Sequence, residues 1–310
     1  MIPPALAPLR LPALAAPMFL ASGPDLVVEC CRAGIAGCFP ALNARSTSEF
    51  ADWLDEIEGR LPPEAAPYGV NLIVHRSNPR LEADLRVVVE RHAPLVITSL
   101  GAVPEVVSAV QADGGIVFHD VINRRHGEKA AQAGVDGIIA VAAGAGGHGG
   151  TLSPFALITE LRDVFSGCLV LAGAINTGAQ VLAARVMGAD MVSIGSRFIA
   201  TREAIASEEQ KRMYVEARAG DVVYTPAVSG VHANFLRQSL EKNDISIDDL
   251  ATRGKLDLGS EARAWKTIWS AGHGVGGIGD IPGAAELCDR LVSEYRAACA
   301  AVATDPFARD

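Results

Sequence analysis

Short apolar runs alternate with amphipathic stretches from the start of the chain to about residue 200. The apolar runs predict strands at Leu14–Met18, Gly37–Ala41, Tyr68–Ile73, Leu95–Thr98, Ile116–His119, Gly137–Ala140, Leu169–Ala172 and Met191–Ile194. The stretches between them predict helices at Asp25–Ala33, Ser46–Glu58, Asn78–Arg91, Pro104–Ala112, Asn123–Ala133, Ser153–Phe165 and Thr177–Met187. Strands that alternate with helices form parallel sheets. Eight such units are the number that closes a (β/α)₈ TIM barrel, for which about 200 residues is the lower end. A doubly wound open sheet is the rival, and a single run of eight strands favours closure. In Ala131–Gly137 and Ala184–Asp190 a helix ends at glycine and an aspartate stands two residues later, before the next strand. Glycine as a helix C-cap accounts for this punctuation structurally.

After Phe198 the pattern changes. Ser207–Arg218 reads as a charged, solvated helix, whereas Val222–Val231 and Ile245–Leu258 lack βα periodicity. Gly272–Gly279 is a glycine-rich turn, and Ala284–Val302 is a final amphipathic helix. The chain therefore divides into a barrel over 1–198, a mostly helical insertion over 199–280 that covers the active-site face, and a returning C-terminal helix over 281–310.

Composition narrows the function classes. Apolar residues make up 49% of the 310, enough for a large core, and the net charge of -9 argues against nucleic acid or an anionic membrane as partner. No apolar run is long enough to span a bilayer. The six cysteines show no CxxC pair and read as buried thiols of a cytoplasmic protein. The apolar N-terminal run is short and broken by Pro12 and Pro17, which does not fit a secretory signal.

The stretch Ala143–Gly150, with His148 in a run of glycine and alanine directly after a strand, is the most informative chemistry-bearing element. Glycine lets backbone approach a ligand closely, and a histidine there exchanges protons near neutral pH. Gly195-Ser196-Arg197-Phe198 after the eighth strand, with Ala172-Gly173 after the seventh, occupies the position where barrels bind phosphate. Asn71 ends the third strand and both donates and accepts, which suits the mixed edge of a flavin or nucleotide ring. His119 stands at a strand end and is a candidate for the site, as is His273 in the glycine-rich turn; His75 is a weaker one. His92, His126 and His232 read as surface or satisfied histidines. No pair has the ligand spacing of a metal site.

These residues resemble the FMN-dependent nitronate monooxygenases (2-nitropropane dioxygenases), relatives of NADH:quinone reductases and enoyl-ACP reductase II. The resemblance rests on Ala16-Pro17-Met18, Gly69-Val70-Asn71-Leu72, Ala145-Gly146-Gly147-His148-Gly149, Ala172-Gly173, Gly195–Thr201 and Ile268–Gly272. It implies FMN at the C-terminal face of a TIM barrel. Pro17, Met18, Asn71, His119, Gly147, Gly149, Ala172, Gly173, Gly195 and Ser196 would hold the cofactor, and His148 would be catalytic. Trp269, Ser270, Gly272 and His273 would form a wall or lid against the substrate. The activity implied is oxidation of alkyl nitronates with O₂ to a carbonyl compound and nitrite. The alternative is NAD(P)H-dependent reduction of a quinone or enoyl thioester, and a homodimer is compatible with either. The chain departs from the family pattern in carrying Phe19-Leu20-Ala21 where many relatives have glycines. It also carries His119-Asp120 where several relatives place lysine or serine near the flavin.

Overall fold

The computed structural model describes residues 1–226, 228, 231–245 and 267–308. Eight parallel strands close into a barrel in chain order. They are β1 (Ala13–Ala15), β2 (Ala36–Pro40), β3 (Gly69–Ile73), β4 (Leu95–Ser99), β5 (Ile116–Val121), β6 (Gly137–Val141), β7 (Cys168–Ala172) and β8 (Met191–Ile194). Closure comes from β8 returning to β1, with Ala13 opposite Val192 and Ala15 opposite Ile194. Helices α1 (Pro24–Arg32), α2 (Thr47–Arg60), α3 (Leu81–Glu90), α4 (Pro104–Ala112), α5 (Arg124–Gln132), α6 (Pro154–Arg162) and α7 (Gly178–Val186) connect the strands. This is the TIM barrel that the apolar pattern predicts.

Alternate strand positions fill the barrel. Leu14, Cys38, Ile97, Phe118, Ile139, Val170 and Met191 belong to one buried interior cluster. Leu6, in the short 3₁₀ turn Pro4–Leu6, belongs to the same cluster, with Ile2 and Leu9 packed against it. The N-terminal segment therefore plugs the end of the barrel at which the strands begin.

The helix-to-strand punctuation has a visible cause. Gly134 and Gly188 adopt φ of 81° and 105°, which reverses the chain after α5 and α7. The following aspartates then reach sideways. Asp136 accepts from the Val117 amide at 2.8 Å, and Asp190 from the Leu169 amide at 2.9 Å. At the other end of the helices, Ser46 caps α2, and Thr177 with Gln180 forms a reciprocal capping box on α7.

Beyond the barrel come α8 (Ser196–Ile199), α9 (Glu208–Glu216), β9 (Val222–Thr225), β10 (Ala233–Leu236), α10 (Arg237–Lys242), a 3₁₀ turn (His273–Gly277) and α11 (Ala284–Ala303). Strands β9 and β10 pair antiparallel, Asn234 lying opposite Tyr224. The sequence pattern did not show this pair, because each strand is four residues long and gives no measurable alternation. Most of Ile245–Leu258 lies outside the described residues. Helix α11 returns to α7 so closely that a Cβ at Gly178 would lie 2.1 Å from the Tyr295 nitrogen and 2.3 Å from the Leu291 carbonyl. No helix among the described residues is long and apolar enough to cross a membrane.

Candidate active site

A cavity of about 1530 Å³ opens at the C-terminal ends of the strands. That exceeds the roughly 300–1,000 Å³ of an ordinary small-molecule pocket, so it has room for more than one ligand. Its floor and most of its walls are strand ends and the loops that follow them, and residues 268–270, 272 and 274 close it from the other side.

The loop after β1 contributes Pro17 and Met18. Buried Ser22 accepts from the Met18 amide at 3.0 Å, and Asn43 donates to the Met18 carbonyl at 3.0 Å. Leu20 in this loop has φ of 57°, a left-handed conformation costing an ordinary residue roughly 1–2 kcal/mol. Asn43 holds it there, accepting from the Leu20 amide at 2.8 Å. The departure from a glycine-bearing loop is thus strained, and a neighbouring side chain stabilises it.

From β3, Asn71 borders the cavity and is 6% exposed. Its amide nitrogen donates to the Ile97 carbonyl at 3.0 Å and to the Ser99 hydroxyl at 2.8 Å. Both amide protons are therefore committed inside the wall. Ser99 in turn donates to Asp120 at 2.5 Å. Asp120 shares the inward face of β5 with Phe118 and borders the cavity. Sequence reasoning noted it only as a departure from the family pattern and not as a site residue, though its alternation with Phe118 was the signal available. Burial pushes its carboxyl up to about 6, partly offset by the hydrogen bond from Ser99.

His119 borders the cavity but alternates with Phe118, so its ring turns toward the helix layer, where Nδ1 meets the Thr98 hydroxyl at 2.8 Å. Burial lowers its pKa to about 4, which keeps it neutral at physiological pH. The geometry gives it to the barrel wall more than to the cavity floor.

The glycine-rich loop after β6 places Gly147, His148 and Gly149 on the cavity. The β9–β10 pair shapes this loop from outside. The Asn234 amide N–H donates to the Gly147 carbonyl at 2.9 Å, and its side chain donates to the Ala145 carbonyl at 2.6 Å. The Tyr224 hydroxyl reaches the Gly149 carbonyl at 3.2 Å. Neither residue was legible as part of the site, since their stretch carries no motif.

Ala172, Gly173, Gly195 and Ser196 border the cavity beside Ala16. Gly173 needs its missing side chain, having φ of 138° and the Ala143 carbonyl 3.1 Å from where a Cβ would stand. Gly195 is different: a Cβ there would meet nothing nearer than Ala16 at 3.9 Å. No protein atom demands glycine at that position, which leaves a cradle open to a ligand. Ser196 accepts from the Gly272 amide at 2.9 Å, so its own hydroxyl proton remains to be donated.

Trp269, Ser270 and Gly272 form the wall opposite. The Leu236 amide bonds the Trp269 carbonyl, and buried Tyr214 bonds the Ser270 carbonyl. His273 does not join them. Its backbone amide donates to the Gly144 carbonyl at 2.9 Å, while its exposed side chain lies outside the cavity lining. His75 also stays outside, with Ser77 against its Nδ1 at 2.7 Å. Two histidines read as surface residues, His126 and His232, do border the cavity at its exposed rim. His232 stacks on Tyr224 with ring centroids 4.9 Å apart.

Comparison with known proteins supports the fold. FabK from Thermotoga maritima superposes with a TM-score of 0.83 at 22% identity, covering 96% of each chain. Nitroalkane oxidase from Streptomyces ansochromogenes gives 0.80 at 22% identity, covering 94% of this chain and 97% of that one. At such identities the likeness shows the fold. In sequence, the chain is 25% identical over 219 residues to the (3aS,4S,5R,7aS)-5-hydroxy-7a-methyl-1-oxo-octahydro-1H-indene-4-carboxyl-CoA dehydrogenase of Rhodococcus jostii. That similarity covers 71% of this chain and 60% of the relative, so the chain spans less than two thirds of the relative's length. The family model for nitronate monooxygenase covers residues 28–294, which takes in every strand of the barrel except β1 as well as the glycine loop, the phosphate-type cradle and the Trp269 wall. The chain belongs to the nitronate monooxygenase family of oxidoreductases.

Proposed function

We propose that this chain is an FMN-dependent oxidoreductase that oxidises alkyl nitronates with O₂ to a carbonyl compound and nitrite. The observation that carries the reading is that His148 and the Gly173, Gly195 and Ser196 cradle border one cavity. The cradle fits a phosphate: open space at Gly195, an available hydroxyl proton at Ser196 and backbone amides at the start of α8. Pro17 and Met18 would lie against the ring, Asn71 at its polar edge, and Gly147, Gly149 and Ala172 along its sides. Bound FMN supplies the electron transfer, while the protein supplies orientation and electrostatics. His148 would then take a proton from a neutral nitroalkane as general base or position the anionic nitronate. The described residues between 199 and 280 would act as the cover, with Trp269–Gly272 excluding water from the reacting centre.

The cavity volume favours a second reading. FMN and a small nitronate leave much of it unfilled, and the Rhodococcus jostii relative is named for a CoA thioester. NAD(P)H-dependent reduction of an enoyl thioester or quinone would use that space. Anaerobic mixing of FMN-loaded protein separates the two. Bleaching of the flavin by nitronate but not by NAD(P)H supports the first, and the reverse outcome overturns it in favour of the second. In the first case His148→Asn should retain FMN and lose about 10²–10⁴-fold in turnover of neutral nitroalkane.

A further inference from the structure

The floor of the cavity carries a carboxyl that nitronate oxidation as proposed above does not use. Asp120 stands on the inward face of β5 at the top of the barrel, next to Ser99 of β4 and through it to Asn71 of β3. The direction of this chain of hydrogen bonds is forced. The Ile97 carbonyl is an acceptor only, so the Asn71 group facing it at 3.0 Å must be the NH₂, and the amide cannot be turned around. The second amide proton goes to Ser99, whose single proton therefore goes to Asp120. Asn71 is left to show the cavity its oxygen alone. The sequence expectation of a residue that donates and accepts at once becomes an acceptor with a fixed orientation.

We propose that Asp120 sets the polarity of the cofactor floor: through Ser99 it adds a second tie to Asn71, whose acceptor oxygen the Ile97 carbonyl already turns outward, and it places a negative charge at the cavity floor that opposes negative charge on reduced flavin. The inference rests on the FMN reading above and assigns Asp120 a positioning and electrostatic role in it. The charge is present at neutral pH and is lost as pH falls below about 6, the value to which burial raises the carboxyl. Other titratable groups on the same side of the cavity are His126 and Lys129 of α5, with His148 across the cavity and His119 turned outward. The shift of Asp120 comes from burial and Ser99, and from none of these.

The test is the midpoint potential of bound FMN in wild type, Asp120→Asn and Ser99→Ala, at pH 8 and pH 5. Asp120→Asn should raise the potential at pH 8, favouring reduced over oxidised FMN by about tenfold in relative affinity. The gap to wild type should close at pH 5, where the wild-type carboxyl is neutral. Ser99→Ala keeps the charge but removes one of the two bonds that hold the Asn71 amide, so it should weaken FMN binding overall with a smaller change in potential. Where a variant holds FMN too weakly for potentiometry, the ratio of Kd for oxidised and reduced FMN, from anaerobic fluorescence titration, reports the same quantity. Equal ratios in wild type and Asp120→Asn at pH 8 overturn the inference while leaving the FMN reading intact. A wild-type chain that takes up no FMN overturns both.

Discussion

The glycine loop that bears His148 is shaped by a residue far away in sequence, and removing that contact gives a sharp test. Asn234 is 3% exposed, and its side chain donates to the Ala145 carbonyl at 2.6 Å. Asn234→Ala deletes this donor inside a buried environment, where an unsatisfied carbonyl costs about 1–3 kcal/mol. The backbone bond from residue 234 to the Gly147 carbonyl survives, so the β9–β10 pair should stay in place and the damage should remain local. We expect global stability by urea denaturation to fall by about 2 kcal/mol. Amide exchange over residues 143–150 should rise more steeply than elsewhere, because the lost bond is the buried side-chain tie on the Ala145 carbonyl. Turnover should fall with the mobility of His148, whereas FMN affinity should change less, since Gly173, Gly195 and Ser196 lie on other loops. Asn234→Asp is the control. It places a carboxylate oxygen against a carbonyl oxygen and should be at least as harmful. If Asn234→Ala denatures within about 0.5 kcal/mol of wild type and exchange over 143–150 is unchanged, the loop is self-supporting and the reasoning fails.

Three further outcomes can be checked. Gly178→Ala should cost about 3 kcal/mol or more in thermal or urea unfolding, because the intruding methyl meets backbone atoms of α11 that cannot rotate away. His119 is held neutral in the fold, its pKa lowered by burial from 6.5 to about 4, so it lends stability above pH 6.5 that is lost as pH falls toward 4. At about 1.4 kcal/mol per unit this amounts to roughly 3 kcal/mol, and His119→Gln should flatten the acid limb of the stability–pH curve. Trp269→Ala should raise KM and expose reduced flavin to oxygen while the barrel stays folded; a large drop in Tm with unchanged kinetics would assign Trp269 to packing alone.

The barrel was legible because its signal is redundant. Each strand announces itself by an apolar run, and each α-to-β turn after α5 and α7 by a glycine and an aspartate whose carboxylate ties the neighbouring strand. The residues around the strand ends were legible for a related reason: Gly173 and Gly195 directly follow apolar strands, where a missing side chain signals close approach by a ligand or by other backbone. What the sequence concealed was direction. Whether His119 or Asp120 faces inward depends on the register of β5, and a strand bounded by Gly115 and Val121 offers little alternation to fix it. The same limit hid the amide orientation of Asn71, which is decided by the Ile97 carbonyl on the next strand. Asn234 and Tyr224 were invisible because a four-residue strand pairing with another four-residue strand leaves no periodic trace. His273 illustrates the converse. It lies in a promising glycine-rich turn, yet its backbone serves the site and its ring points elsewhere.

The cross-links from β10 and the Trp269 segment to the glycine loop also have a temporal meaning. During synthesis, β8 must emerge before the barrel can close on β1, and contacts between such distant segments form slowly. Even then the His148 loop lacks Asn234 and the Gly272 amide has not yet reached Ser196. Chain order therefore separates the synthesis of the barrel strands from that of the residues that finish the site. A nascent chain thus holds all eight strands for an interval before Asn234 and Gly272 exist to bond the glycine loop and Ser196.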